Sequence, residues 1–254
     1  MKIAKIISIF VLISTICVLM ILAIVNIPKQ KCESLKITPH TNNECVILTP
    51  EDMKQMLAEA HIDIIGKKIK EIDLEPISEL LEQNPYVEKV NFIHFSNTKL
   101  LIDYTLKEIV LHVYNNNGEQ FFVDSKGNLL PFTKKMTDYL PVANGNIRQA
   151  YRKGATIQKE LRPIFAISQE INKDEFCKAQ FRQLYLNDEN QVELVSTIGR
   201  HIIIFGDEKN AAEKLENLKH VYQDGLSHLG FERYAQLDVR FKNRVIAQKT
   251  NQGL

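Results

Sequence analysis

Apolar and polar positions divide the chain into segments of different period. Ile6 to Ile27 is a run of 22 residues without a charged side chain. At about 1.5 Å per residue it would form a helix of roughly 33 Å, enough to cross the ~30 Å hydrocarbon core of a bilayer. Ser34 to Thr38 then alternates like a short strand, and residues 45–48 are a second short apolar piece. Thr49-Pro50-Glu51-Asp52 predicts a helix start. Thr49 can cap, Pro50 suits the first helical position, and the Asp52 charge favours the N-terminal end. Met53, Met56, Leu57 and Ala60 fall on one face of that helix. A second helix is predicted from about Asp73, with Leu74, Ile77, Leu80 and Leu81 as its buried stripe, Pro76 tolerated in its first turn and Asn84-Pro85 as its end. Two strands follow. Val87 to Phe95 is expected to carry Val90 and Phe92 on one face, and Lys99 to Leu106 carries Leu100, Ile102, Tyr104 and Leu106 on one face. The order β-α-α-β-β predicts a small α+β unit.

Beyond residue 107 the pattern becomes β-rich. Ile109 to Tyr114 and Gln120 to Asp124 flank the turn Asn115-Asn116-Asn117-Gly118 and read as a hairpin. Ser125 to Asn128 is another turn, and Gly145 and Gly154 mark loops. Ile157, Leu161, Ile164, Phe165, Ser168 and Ile171 recur at helical spacing, with Pro163 as an early-turn or kink residue. Three strands are predicted over Gln180–Leu186, Gln191–Ile198 and His201–Phe205. Asp207 is expected to open a long helix with Ala211, Leu215, Leu218, Tyr222 and Leu226 as its stripe. Tyr234 to Phe241 and Val245 to Gln248 close the chain as a hairpin through Lys242-Asn243-Arg244. The whole is an α+β chain divided into a five-residue stub (1–5), a transmembrane helix (6–27), a first exported unit (28–107) and a mostly antiparallel β domain with helices (108–254).

Charge and cysteine usage refine this picture. A cleaved secretory signal is the main competing reading of the apolar run, but the run exceeds a signal h-region and ends in Ala23-Ile24-Val25-Asn26-Ile27-Pro28 without an A-x-A site. Lys2 and Lys5 precede it, and Lys29, Lys31 and Lys36 follow, so positive charge is nearly balanced. The short stub favours a cytoplasmic N-terminus and an extracytoplasmic bulk. The chain carries 32 Lys+Arg and 31 Asp+Glu; without Lys2 and Lys5, 30 basic side chains face 31 acidic ones. No basic stripe points to nucleic acid. Four cysteines are too few for a disulfide scaffold. Cys32 and Cys45 could pair in an oxidising compartment or remain two separate thiols, and Cys177 reads as a packing residue of a helix.

No arrangement of residues carries a reaction. Phosphate-loop, dinucleotide, nucleophile-elbow and H-E-x-x-H patterns are all missing, and the seven histidines are scattered. Cys177 lies in Glu175-Phe176-Cys177-Lys178, unlike the Thr-Leu-x-Thr-Cys of anchored transpeptidases. The expectation is a binding protein with no catalytic residue, cofactor or metal.

The ordered motifs resemble those of the bacterial cell-division family FtsQ/DivIB. Asn84-Pro85-Tyr86-Val87 is similar to its N-P-x-V entry to a strand, and residues 100–104 (Leu-Leu-Ile-Asp-Tyr) to its L-x-I-x-V strand. Residues 120–131, with Asp124, Gly127 and Pro131, resemble its hairpin; residues 214–218 resemble its late helix; Leu237-Asp238-Val239-Arg240-Phe241 resembles its i-D-L-R-Y strand. Two departures stand out: Lys107-Glu108-Ile109-Val110 lacks the proline of E-R-x-P, and Phe241 replaces a tyrosine. The resemblance implies a POTRA domain for the first exported unit. It also implies a non-enzymatic divisome scaffold in the inner membrane, enriched at the division septum and linked to septal peptidoglycan synthesis. Its partners would be FtsB/FtsL-type anchored proteins and other divisome proteins, with lipid contact through 6–27. A different POTRA-bearing assembly or secretion module is the alternative. In the family the partner adds a strand near the C-terminal strands, so the candidate edge here is 235–248, with Gln236, Asp238, Arg240 and the neighbouring Phe241 read as outward-facing and Val245 as a further candidate contact.

Overall fold

A computed structural model describes residues 11–21, 30–43, 46–136 and 140–250. Helix α1 covers 11–21, and every one of its side chains is exposed. The remainder of the expected span 6–27 lies outside the described residues. Among the described residues no helix is long and apolar enough to cross a membrane. The chain otherwise forms two compact units, one built from residues 1–41 and 48–106, the other from 42–47 and 107–254.

The N-terminal unit is a three-stranded sheet with two helices. Strand β1 (Ser34–His40) pairs parallel to β3 (Lys99–Leu106), and β3 pairs antiparallel to β2 (Val87–Ser96), giving the order β1-β3-β2. Helix α2 (Pro50–Glu59) starts in a complete capping box. The Thr49 hydroxyl accepts from the Asp52 N–H at 3.2 Å, and the Asp52 carboxylate accepts from the Thr49 N–H at 3.0 Å. Met53 and Leu57 are buried beneath it, whereas Ala60, expected on the same face, is exposed because the helix has already ended. In α3 (Glu75–Glu82) Ile77 and Leu81 are fully buried.

Strand β3 alternates as its sequence requires, with Leu100, Ile102, Tyr104 and Leu106 all buried. The buried Tyr104 hydroxyl donates to the Leu48 carbonyl at 2.9 Å. Strand β2 departs from expectation. Register shifts between Val87 and Lys89 and between Val90 and Phe92 mean that Val90, Ile93 and Phe95 oppose the buried residues of β3, while Phe92 opposes Asp103. Phe92 is therefore 44% exposed on the other face, because an extra residue in one strand reverses the alternation beyond it.

The C-terminal unit is built on nine strands: β4 (Ile109–Tyr114), β5 (Gln120–Asp124), β6 (Leu129–Pro131), β7 (Val142–Gly145), β8 (Phe181–Leu186), β9 (Val192–Ser196), β10 (Ile202–Gly206), β11 (Tyr234–Asp238) and β12 (Ile246–Lys249). Their order in the sheet is β12-β11-β10-β9-β8-β7-β4-β5-β6. The sheet is mostly antiparallel as expected, with five antiparallel pairings, but it also has three parallel ones: β7 is inserted parallel to both β4 and β8, and β10 is parallel to β11. Helices α4 (Arg162–Ile171), α5 (Glu175–Gln180) and α6 (Ala211–His220) form one core with the residues of one sheet face, including Leu111, Leu184, Leu194, Ile203, Phe205 and Leu237.

Local chemistry explains several of these elements. Asp124, the acid of the D-x-x-G hairpin, is buried, and its carboxylate accepts from the Lys126 and Asn128 N–H groups at 2.9 and 2.8 Å; Gly127 sits at φ +84°. Asn43 lies in the short stretch that belongs to this unit. Its amide brackets Ile109, accepting from the Ile109 N–H and donating to its carbonyl, both at 2.9 Å. Asp207 does not open α6. Asn210, in the left-handed region at φ 55°, precedes Ala211, and Asp207 instead holds Lys214. The helix then loosens into a π-helical stretch over Val221–Leu226 and a last turn at Ser227–Leu229. All five residues of its predicted stripe are buried.

Of the two cysteines that could pair or remain separate, Cys32 is a free and buried thiol directed at the Ser34 carbonyl, 3.4 Å away. Cys45 lies outside the described residues.

Candidate functional site

The C-terminal hairpin ends the nine-stranded sheet. Strand β12 pairs antiparallel to β11, with Gln236 opposite Gln248, Leu237 opposite Ala247 and Asp238 opposite Ile246. Among the described residues no strand pairs with the outer side of β12. All four of its residues are exposed, Ile246 by 49%. The hairpin is anchored behind its last strand, where the Thr250 N–H donates to the Arg233 carbonyl at 3.0 Å and its hydroxyl to the Glu232 carbonyl at 3.1 Å. The site is thus a row of outward backbone N–H and C=O groups on a short, fixed strand.

The side chains expected to form the contact take different roles. Gln236 lies half-buried on the sheet face away from the helices, between Ile202 of β10 and Gln248 of β12. Asp238 shares that face but is buried rather than solvated. Its carboxylate is held by Arg240, at 2.6 Å from Nη2 and 3.0 Å from Nε, and it also accepts the Arg240 N–H at 3.1 Å. Burial works against the charged carboxylate, yet these hydrogen bonds and the guanidinium charge hold its pKa below the usual range.

Arg240 is correspondingly a tether, not a free contact residue. Its third nitrogen reaches Gln191 Oε1 at 3.1 Å, and its stem packs over Gly206, where an added Cβ would come within 2.9 Å of Cγ. Phe241 lies past the end of β11 in the hairpin loop and is 45% exposed. Val245 points inward, half-buried against the core. Of the residues singled out from the sequence, Arg240 and Phe241 are exposed, Gln236 and Val245 are half-buried and Asp238 is buried. The alternation was extended too far: β11 stops at Asp238, and its Tyr234–Gln236 register shift moves the faces.

Residues missed from the sequence complete the site. Ile246 and Gln248 extend the outer face, while Ala247 and Leu229, the latter 51% exposed, rim a cavity on the helix side. The exposed apolar residues Val195, Ile202 and Tyr185 continue the outer face inward across the sheet. Only the signature of a short apolar strand after Arg244 could have pointed to them.

A buried polar network fixes the start of this region. His201 lies beneath the loop that enters β11. Its Nδ1 donates to the Phe231 carbonyl at 3.4 Å, and its Nε2 accepts from the Tyr222 hydroxyl. Gln180 donates to the Ser196 hydroxyl, which donates to the Ile198 carbonyl at 2.6 Å. Burial lowers the His201 pKa, partly opposed by the Phe231 carbonyl and the Glu232 charge, and raises that of Tyr222 to about 12. Burial likewise raises the Cys177 thiol to about 12, so it is a packed thiol and not a nucleophile at neutral pH. Among the described residues no group of three or more His, Cys, Asp or Glu side chains is placed to hold a metal ion.

The three-stranded β-α-α-β-β unit is of POTRA type, and a mixed nine-stranded sheet follows it whose last strand, β12, has one free edge among the described residues. Residues 30–105 match a POTRA-like domain, and residues 109–248, more than half of the chain, match the domain described as FtsQ/DivIB, C-terminal related. The chain belongs to the FtsQ/DivIB family. No curated protein matches it.

Proposed function

We propose that this protein is a non-enzymatic scaffold of the bacterial divisome. It is anchored in the inner membrane by the apolar run 6–27, with its two units on the extracytoplasmic side at the septum. The observation that carries the reading is the free outer edge of β12, at the end of a nine-stranded sheet whose other face is closed by helices. A strand from an FtsB/FtsL-type partner would satisfy that edge by β-addition, with main-chain hydrogen bonds supplying affinity and alternate side chains supplying specificity. Anchoring supports this role, because partners held in the same membrane meet at raised effective concentration. The uniformly exposed apolar side chains of α1 are consistent with a lipid-facing helix.

Depletion of the protein tests the division role: cells should form filaments, and normal septation would refute it. The edge is tested without disturbing the fold by placing a photo-cross-linking residue at the exposed Gln248. The expected adduct joins this position to an FtsB-like protein. Adducts at the N-terminal unit alone, with none at Gln248, would overturn the edge as the partner site.

A further inference from the structure

We infer that the strand taken up by β12 is acidic and carries an aliphatic side chain two residues from an acidic one, both on the helix side of the sheet. This rests on β12 being the partner edge, as proposed above.

Val245, Ala247 and Lys249 share the helix side of the hairpin. Val245 and Ala247 line a cavity of about 120 Å³ together with Leu226, Leu229, Tyr234 and Leu237. The lining is almost wholly apolar, and cavities of about 150 Å³ with such walls accept benzene. Ala247, small and exposed on the edge strand, forms the wall of this cavity on the β12 side. In an added strand, the side chain opposite Ala247 on the helix side meets this wall, which suits one aliphatic group.

Two residues further, the same side of β12 presents Lys249, which lines a neighbouring hollow with Arg233 and with Glu232, whose carboxylate faces Arg200 at 3.9 Å. Residues 239–250 contain Arg240, Lys242, Arg244 and Lys249 and no Asp or Glu. Arg240 is neutralised by Asp238, but Lys242, Arg244, Lys249 and Arg233 make no ion pair among the described residues. The hairpin is thus a local cationic rim on a chain of net charge +1. One lysine on an edge strand commonly serves only to deter aggregation. The hairpin's three unpaired cations, Lys242, Arg244 and Lys249, also select a partner of opposite sign. They disfavour a second copy of this strand, since pairing like with like would bring the same cations together.

The test uses the full-length chain in detergent micelles with three end-blocked peptides of equal length on a Thr/Val background. One carries Leu and Glu two residues apart, one has Ser for that Leu, and one has Lys for that Glu. Hydrogen exchange at Ile246–Lys249 reports addition to the edge, and fluorescence anisotropy reports affinity. The Leu/Glu peptide should protect β12. The Ser peptide should bind about tenfold more weakly. The Lys peptide should bind several-fold more weakly, by a margin that shrinks with salt. Lys249→Glu should reverse the preference between Glu and Lys peptides, and Ala247→Leu, which fills the cavity from within, should abolish the preference for Leu over Ser. Equal protection by all three peptides would overturn the pattern and leave strand addition standing. Protection by none would overturn both.

Discussion

Two lysines on α6 offer a direct test of how burial sets the value of a charge. Lys214 is only 8% exposed, and its ammonium donates to the Phe205 carbonyl at 3.0 Å, the Asp207 carbonyl at 2.8 Å and the Asp207 carboxylate at 3.2 Å. It also lies 4.9 Å from the centre of the Phe205 ring. One side chain thereby closes the C-terminal end of β10 onto the helix. Lys214→Met keeps the buried stem but leaves two carbonyls without that donor. A hydrogen bond from a charged group contributes about 1.5–3 kcal/mol, and an orphaned buried carbonyl costs about 1–3 kcal/mol. The Asp207 carboxylate is half-exposed and can turn to water, so its loss adds little.

The expected cost of Lys214→Met is therefore about 2–4 kcal/mol. Lys219 is the internal control. Its 2.7 Å pair with Asp174 is screened by solvent, so Lys219→Met should cost much less than Lys214→Met. Urea unfolding by far-ultraviolet circular dichroism measures both, and hydrogen exchange over residues 202–220 should rise only in the Lys214 variant. Equal costs, or a Lys214→Met variant as stable as the parent, would refute the reasoning.

Other outcomes follow from the same geometry. Gly145 holds φ +102°, and a Cβ there would fall well inside contact distance of the Leu186 carbonyl oxygen, so Gly145→Ala should cost about 3 kcal/mol or more and lower the unfolding midpoint or abolish folding. Thr49→Ala removes one half of the α2 capping box and should cost about 1 kcal/mol, read as faster amide exchange in the first turn of α2. His201 and His112 have folded-state pKa values lowered by burial, so the unfolded chain binds more protons below the ordinary histidine value of about 6.5. Their stabilisation is complete above that pH and is lost as pH falls below it. A second loss should come further down, as pH falls below the ordinary Asp value toward the lowered values of Asp174, Asp207 and Asp238. Urea midpoints between pH 8 and 3 should show both stages, and His201→Gln should diminish the first.

The amino-acid sequence by itself determined whatever depends on neighbours along the chain. The Thr49-Pro50-x-Asp52 cap, the strict alternation of β3 and the Asp124 turn all form as read, because each uses contacts within a few residues. The late-helix stripe also reads correctly, since the four-residue spacing of Leu218, Tyr222 and Leu226 keeps them buried through the wider π turn. Tertiary structure decided the rest. The bulges that turn Phe92 outward, and the insertion of the four-residue β7 between β4 and β8, depend on a partner strand far away in sequence. The candidate site divides in the same way. The last hairpin was legible as a hairpin, but the surroundings of its side chains were not. Asp238 and Arg240 turn to each other and Val245 turns inward, leaving Ile246, Ala247 and Lys249 at the edge. Alternation along a strand assigns residues to two faces; only the packing around that strand decides which face meets water, an ion pair or an apolar cavity.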